Sequence, residues 1–103
     1  MAIKKQYLKT KEECKVTFEI PKEIAENFRN ASLVGEFNNW DPHATPMKKR
    51  KKDNAFYVTM KLLKGAEYQF RYLLDGETWI NDDDADKHVA TYYPDAENSV
   101  IIT

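Results

Sequence analysis

Apolar and polar residues alternate one by one through three stretches of this chain, and a period of two marks a strand with one face buried and the other wet. Cys14, Val16, Phe18 and Ile20 alternate with Lys15, Thr17 and Glu19. Phe56, Val58, Met60 and Leu62 alternate with Tyr57, Thr59 and Lys61, and Tyr68, Phe70, Tyr72 and Leu74 with Glu67, Gln69, Arg71 and Leu73. Shorter strand candidates cover 32–37, 78–81 and 99–103, set apart by turn formers at Asn38-Asn39, Asp53-Asn54, Lys64-Gly65 and Asp75-Gly76. The one helical suggestion is 21–28, opened by Pro21 and no longer than about two turns. Six or seven short strands without a repeat or a flexible linker, in 103 residues, predict a single all-β domain: an immunoglobulin-like antiparallel β-sandwich. Residues 14–103 are expected to form the sandwich and 1–13 an N-terminal extension, with Phe18, Val58, Phe70, Tyr72 and Ile80 in the core.

Charge and cysteine content narrow the classes of function. Sixteen Lys and Arg against 17 Asp and Glu leave a net charge of −1, which supplies no global attraction for nucleic acid or an anionic membrane. Cys14 is the single cysteine, so a disulfide framework and every multi-cysteine metal site are excluded. No apolar run reaches signal-peptide length near the start, and none approaches the roughly 20 residues of a membrane span. The expected location is therefore the cytoplasm.

Residues suited to catalysis are few. His43 and His88 are the only histidines, and neither stands in a nucleophile or metal spacing. Asp82, Asp84 and Asp86 alternate as in a calcium loop, but that loop's sixth position is Lys87 where glycine is needed, and its twelfth is Tyr93 where glutamate is needed. A glycosidase pair would need carboxylates roughly 5–9.5 Å apart across an enclosed sugar, which neighbouring loop residues do not provide. The run 81–86 is expected to be a solvated acidic loop, and no enzyme activity, metal or cofactor is predicted. The basic run 48–52 leads through Asp53-Asn54 into a strand and reads as the charged shoulder of a hairpin, where lysines discourage edge pairing.

The aromatic residues carry more. Trp40 lies among turn formers, where a buried strand tryptophan is hard to place. The face of Trp79 depends on the preceding loop. A two-residue loop, Asp75-Gly76, sets Tyr72 opposite Trp79 and sends the indole into the core. A three-residue loop that includes Glu77, with a left-handed residue at or beside Gly76, sets Leu73 opposite Trp79 and turns the indole outward beside Arg71. The longer loop is preferred because it buries Ile80 and exposes Asn81. Two outward tryptophans with amide and charged neighbours suit carbohydrate, since the C–H face of a pyranose packs on an indole while its hydroxyls take hydrogen bonds.

The segment 33–40 (Leu-Val-Gly-Glu-Phe-Asn-Asn-Trp), Pro46-Met47, the run 68–76, Trp79 and the closing 98–102 together resemble carbohydrate-binding module family 48. That family includes the isoamylase N-terminal early-set domain and the glycogen-binding domain of the AMP-activated protein kinase β subunit. The resemblance runs from about Lys15 to Thr103. It implies an early-set sandwich that binds α-1,4-linked glucan such as glycogen or starch, with Trp40, Arg71, Trp79 and Asn98 at the sugar-contacting positions. The chain departs from the kinase-subunit pattern in carrying Arg71 in place of lysine, one more residue in the turn before Trp79, and a different loop over 90–97. In that loop Tyr92 or Tyr93 stands as a substitute sugar contact. The resemblance also implies a second role, because family members attach to glycoside hydrolases and related α-glucan enzymes. On that alternative the chain is a protein-interaction module that docks on such an enzyme in trans without holding sugar.

Overall fold

The computed structural model describes residues 1–91 and 96–103. In chain order it contains β1 (Ala2–Tyr7), β2 (Glu13–Ile20), α1 (Lys22–Ala25), β3 (Ala31–Gly35), a single 3-10 turn (Glu36–Asn38), β4 (Lys48–Lys49), β5 (Phe56–Leu63), β6 (Glu67–Leu74), β7 (Thr78–Ile80), β8 (Lys87–Ala90) and β9 (Glu97–Ile102). All pairings are antiparallel. One sheet runs β1-β2-β5-β4 and the other β3-β6-β9-β8, with β7 beside β9 on the same flank of β6. The result is the immunoglobulin-like sandwich that the alternation predicts, of the early-set type that the family resemblance implies.

The three alternating stretches become β2, β5 and β6. Cys14, Val16, Phe18 and Ile20 of β2 and Phe70, Tyr72 and Leu74 of β6 are wholly buried, each a side chain worth about 1.5–3 kcal/mol when large and apolar. Phe18 meets Phe70 edge-on at 5.1 Å between ring centres, and Phe70 meets Tyr72 at 5.7 Å, so the rings of the two sheets interlock. Two expected core residues lie differently: Val58 and Ile80 are only half-buried, Val58 because β4 covers β5 only at Tyr57 and Phe56, Ile80 because it sits on the outer strand β7.

The strands without a sequence signal are the polar outer ones. The stretch ahead of Cys14, expected as an N-terminal extension, supplies β1, whose Lys4, Lys5 and Gln6 carry no alternation yet pair with β2 from Ala2↔Glu19 to Tyr7↔Cys14. Lys5 reaches Asp86 at 2.8 Å and so crosses from one sheet to the other. The segment 45–49 also joins the sheets. Leu33 N–H donates to the Thr45 carbonyl at 2.9 Å and Met47 N–H to the Ala31 carbonyl at 2.8 Å, after which Lys48 and Lys49 pair with Tyr57 and Phe56 of β5. Arg50 then closes the basic shoulder, its guanidinium gripping both oxygens of Asp53 at 2.9 and 2.8 Å and touching Glu19 at 3.1 Å. This grip holds the Asp53 carboxyl down at about 2.

The acidic run is not a solvated loop throughout, because Asp82 is completely buried. Its carboxylate accepts the Tyr72 hydroxyl at 2.7 Å and the Asp84 N–H at 2.8 Å, while its own N–H donates to Ser99 Oγ at 2.9 Å. Ser99 donates on to Asn81 Oδ1 at 2.8 Å, and Asn81 Nδ2 to the Glu97 carbonyl at 2.9 Å, so the loop after β7 is fastened to β9 on both sides of Asn98. Desolvation pushes the Asp82 carboxyl above the usual carboxylate range against the pull of Tyr72. Its ionisation therefore opposes folding: the contribution is most favourable below the unfolded carboxylate range and is lost as pH rises through the raised folded value. Tyr72→Phe, which takes a hydrogen bond from the ionised form, should cost about 1–3 kcal/mol at neutral pH. In urea unfolding that deficit should shrink as pH falls through the Asp82 titration, and an equal deficit at both pH values would mean that the phenol supports no buried charge.

Candidate functional site

The outward side of the β3-β6-β9-β8 sheet follows from the parity of β6. With Phe70, Tyr72 and Leu74 inward, Gln69, Arg71 and Leu73 point out, and the cross-strand pairs Val34↔Arg71, Leu73↔Trp79 and Gln69↔Val100 extend the same face to β3, β7 and β9. Asn98, two residues from Val100, belongs to it as well. Val34, Leu73 and Val100 are at most 6% exposed although they are on the outward side, so the polar residues of this face stand over an apolar layer.

Trp79 owes its orientation to the turn. Leu73 pairs with Trp79 and Tyr72 with Ile80, the register of the three-residue loop Asp75-Gly76-Glu77. Asp75 and Gly76 both have positive φ, 51° and 72°, and Glu77 N–H closes the turn on the Leu74 carbonyl at 3.1 Å. Asp75 tolerates the left-handed region because its side chain is tied down: Oδ1 accepts the N–H groups of Arg29 and Asn30, each at 2.8 Å. Trp79 emerges 46% exposed, on the strand diagonal from Arg71, a spacing of about 7–8 Å that long side chains span.

Trp40 is delivered by a different device. Phe37 packs into the core against Phe18 and Phe70. Asn38 holds the turn from inside: Oδ1 accepts the Gly35 N–H at 3.0 Å, and Nδ2 donates to the Leu33 carbonyl at 2.9 Å and to Thr45 Oγ1 at 3.0 Å. Asn39 and Trp40 both adopt positive φ, 58° and 57°, and Trp40 N–H returns to the Gly35 carbonyl at 2.8 Å. A bulky residue in that region costs of order 1–3 kcal/mol and persists where surrounding structure fixes it, a strain that gathers at functional sites. Gly35 permits the close approach: a Cβ there would lie 2.6 Å from the Gln69 carbonyl oxygen and 2.8 Å from Phe70 Cβ. Trp40 ends 38% exposed. Neither indole N–H has a hydrogen-bond partner among the described residues.

Of the four predicted site residues, Arg71 and Asn98 are in direct contact, with Arg71 Nε donating to Asn98 Oδ1 at 2.5 Å. Trp79 shares their face, and Trp40 stands on the turn that continues β3. A fifth residue, Gln69, links the two parts. Its Oε1 accepts from Asn98 Nδ2 at 2.9 Å, and its backbone N–H donates to Glu36 Oε1 at 2.6 Å, within the Trp40 turn. The alternation that placed Arg71 outward places Gln69 outward too, so its parity is the signal that could have found it. Gln69 and Asn98 line an open depression with Ala90 and Thr91. Tyr92 and Tyr93 lie outside the described residues. His43 follows Trp40 by three residues, its backbone N–H donating to Asp41 Oδ1 at 2.8 Å, and His88 has Nε2 at 2.8 Å from the Asp82 carbonyl.

Fold and face together define a sandwich whose described residues present an open aromatic and amide surface. The sequence model of the glycogen recognition site of AMP-activated protein kinase matches residues 23–100, and the chain belongs to that family. No curated protein matches the chain. Among the described residues no helix is long and apolar enough to cross a membrane.

The exposure of the two indoles is open to a direct check. Acrylamide should quench the fluorescence of the free protein at both tryptophans, read separately in Trp40→Phe and Trp79→Phe. Emission typical of shielded indoles from either variant would contradict the arrangement.

Proposed function

We propose that this protein is a non-catalytic module that binds α-1,4-linked glucan, as in glycogen or starch, on the outward face of the β3-β6-β9-β8 sheet. The observation that carries the reading is the Arg71–Asn98 hydrogen bond beside the outward Trp79. Membership of a family described by glycogen recognition supports it. The apolar C–H faces of glucose rings stack on Trp79 and Trp40. Arg71 spends only Nε on Asn98, so its remaining guanidinium N–H groups, the second Asn98 amide hydrogen and the Gln69 amide N–H groups are left to donate to sugar hydroxyls. Because Asn98 is held on both sides by Arg71 and Gln69, its amide is oriented before the ligand arrives, which lowers the ordering cost of binding.

An open face suits a polymer that continues past the site in both directions. Among the described residues it neither excludes water nor opposes two carboxylates across a bond, as hydrolysis of a glycoside would require. The module's effect on glucan chemistry is then to hold the polysaccharide for an α-glucan enzyme in trans.

A neutral ligand that is stacked and hydrogen-bonded releases no counterions. Calorimetry with maltoheptaose should therefore return nearly the same affinity in low salt and at roughly 0.5 M salt, where exposed charge contacts are screened. Trp40→Ala and Trp79→Ala should each lose about 1–3 kcal/mol of binding, the range of other aromatic platforms, and melt close to the parent. Arg71→Ala should lose only about 0.5–1.5 kcal/mol. No heat with maltoheptaose or glycogen, or binding that weakens steeply with salt, would reject the reading in favour of a protein-docking module.

A further inference from the structure

The opposite sheet carries an unfinished edge. β4 covers β5 only at Tyr57 and Phe56, because the segment before it, 45–47, is committed to β3 through the Leu33 and Met47 hydrogen bonds and the Ser32↔Pro46 bridge. From Val58 to Leu62 the flank of β5 away from β2 pairs with no strand among the described residues. Every other N–H and C=O along that run therefore points at solvent, the arrangement that accepts an added strand. The side chains agree with an incomplete edge. Val16 and Phe18 of β2 are wholly buried, whereas Met60 and Val58, their partners on the same inward side, are half-exposed. A depression lined by Pro46, Lys48, Tyr57, Val58 and Thr59 lies where β4 stops.

The charges along this edge select its occupant. Lys61 and Lys48 point to the outer face and neither has an ion pair among the described residues, and Lys61 stands directly opposite Lys15, a like-charged pair that weakens the sheet when left uncompensated. A second copy of the chain is disfavoured, because two-fold pairing centred near Met60 sets the Lys61 side chains of the two copies opposite or diagonal to one another. We propose that β5 accepts an extended acidic segment of a partner protein as an added antiparallel strand. Its backbone completes the ladder from Val58 to Leu62, its apolar side chains cover Val58 and Met60, and its carboxylates meet Lys61 and Lys48. This face lies on the sheet opposite to the proposed glucan surface, so sugar and protein can be held at once, and the inference stands independently of the sugar reading.

The test uses the full chain and a capped peptide, Glu-Val-Glu-Ile-Glu-Val-Glu, with a control in which lysine replaces every glutamate. Amide hydrogen exchange followed by NMR should show alternate amides of 58–62 becoming protected as the acidic peptide is added, with the Trp79 and Asn98 signals unmoved. Lys61→Glu should weaken the acidic peptide about fivefold through loss of its ion pair, and the lysine control should bind correspondingly less well to the parent and better to the variant. The proposal is overturned by unchanged exchange at 58–62 in excess peptide or by equal binding of the two peptides. Protection that grows with protein concentration in the absence of peptide would overturn it too, since that result assigns the edge to a second copy.

Discussion

Because successive side chains of a strand point to opposite faces, the length of the loop between β6 and β7 decides whether Trp79 is core or surface. β6 is the strand on which both halves of the molecule converge: Phe70, Tyr72 and Leu74 fill the interior, and Gln69, Arg71 and Leu73 form the outward face. The left-handed pair Asp75 and Gly76, with Glu77 as the third loop residue, carries that parity across to β7. Asp75 holds the turn against the Arg29 and Asn30 amides, so the orientation of Trp79 rests on contacts made at the turn itself.

The interior and the outward face are connected through β9. Ser99 and Asn98 are neighbours of opposite parity. The first is bound into the buried Asp82 and Asn81 network, and the second lies between Arg71 and Gln69. A buried carboxylate raised by desolvation is costly, and satisfying it with the Tyr72 hydroxyl and the Asp84 N–H, while the Asp82 N–H is held by Ser99 Oγ, makes the loop after β7 a fixed support for the site. On the other flank, Asn38 and Gly35 do the same for Trp40, whose left-handed backbone is sustained by the contacts around it.

The sandwich class, its three central strands and the outward register of Trp79 were legible because they depend on period two and on turn chemistry, which are local properties. β1, β4 and β8 were not, since outer strands such as 2–7 carry charged side chains on both faces and are fixed by pairing with β2, β5 or β9, a long-range fact. The burial of Asp82 was hidden for the same reason: four aspartates in a short run look solvated, and the partner that draws one inside, Tyr72, lies ten residues away on another strand. Arg71 was legible as the neighbour of an outward Trp79 and Asn98 was named through a family resemblance, but their contact could not be read from residues 27 positions apart without the sheet order. Gln69 was readable in principle, because it alternates with Tyr68 and Phe70 and so shares the parity of Arg71.

The central claim is that Trp40, Trp79, Arg71 and Asn98 act as one surface toward glucan. A maltoheptaose titration of the isotope-labelled protein, followed through the two indole N–H signals and the Asn98 side-chain amide, addresses it most directly. The account predicts that all three move together and saturate along a single binding curve, while the amides of 58–62 stay in place. Indole signals that do not move, or that follow curves separate from the Asn98 amide, would contradict it.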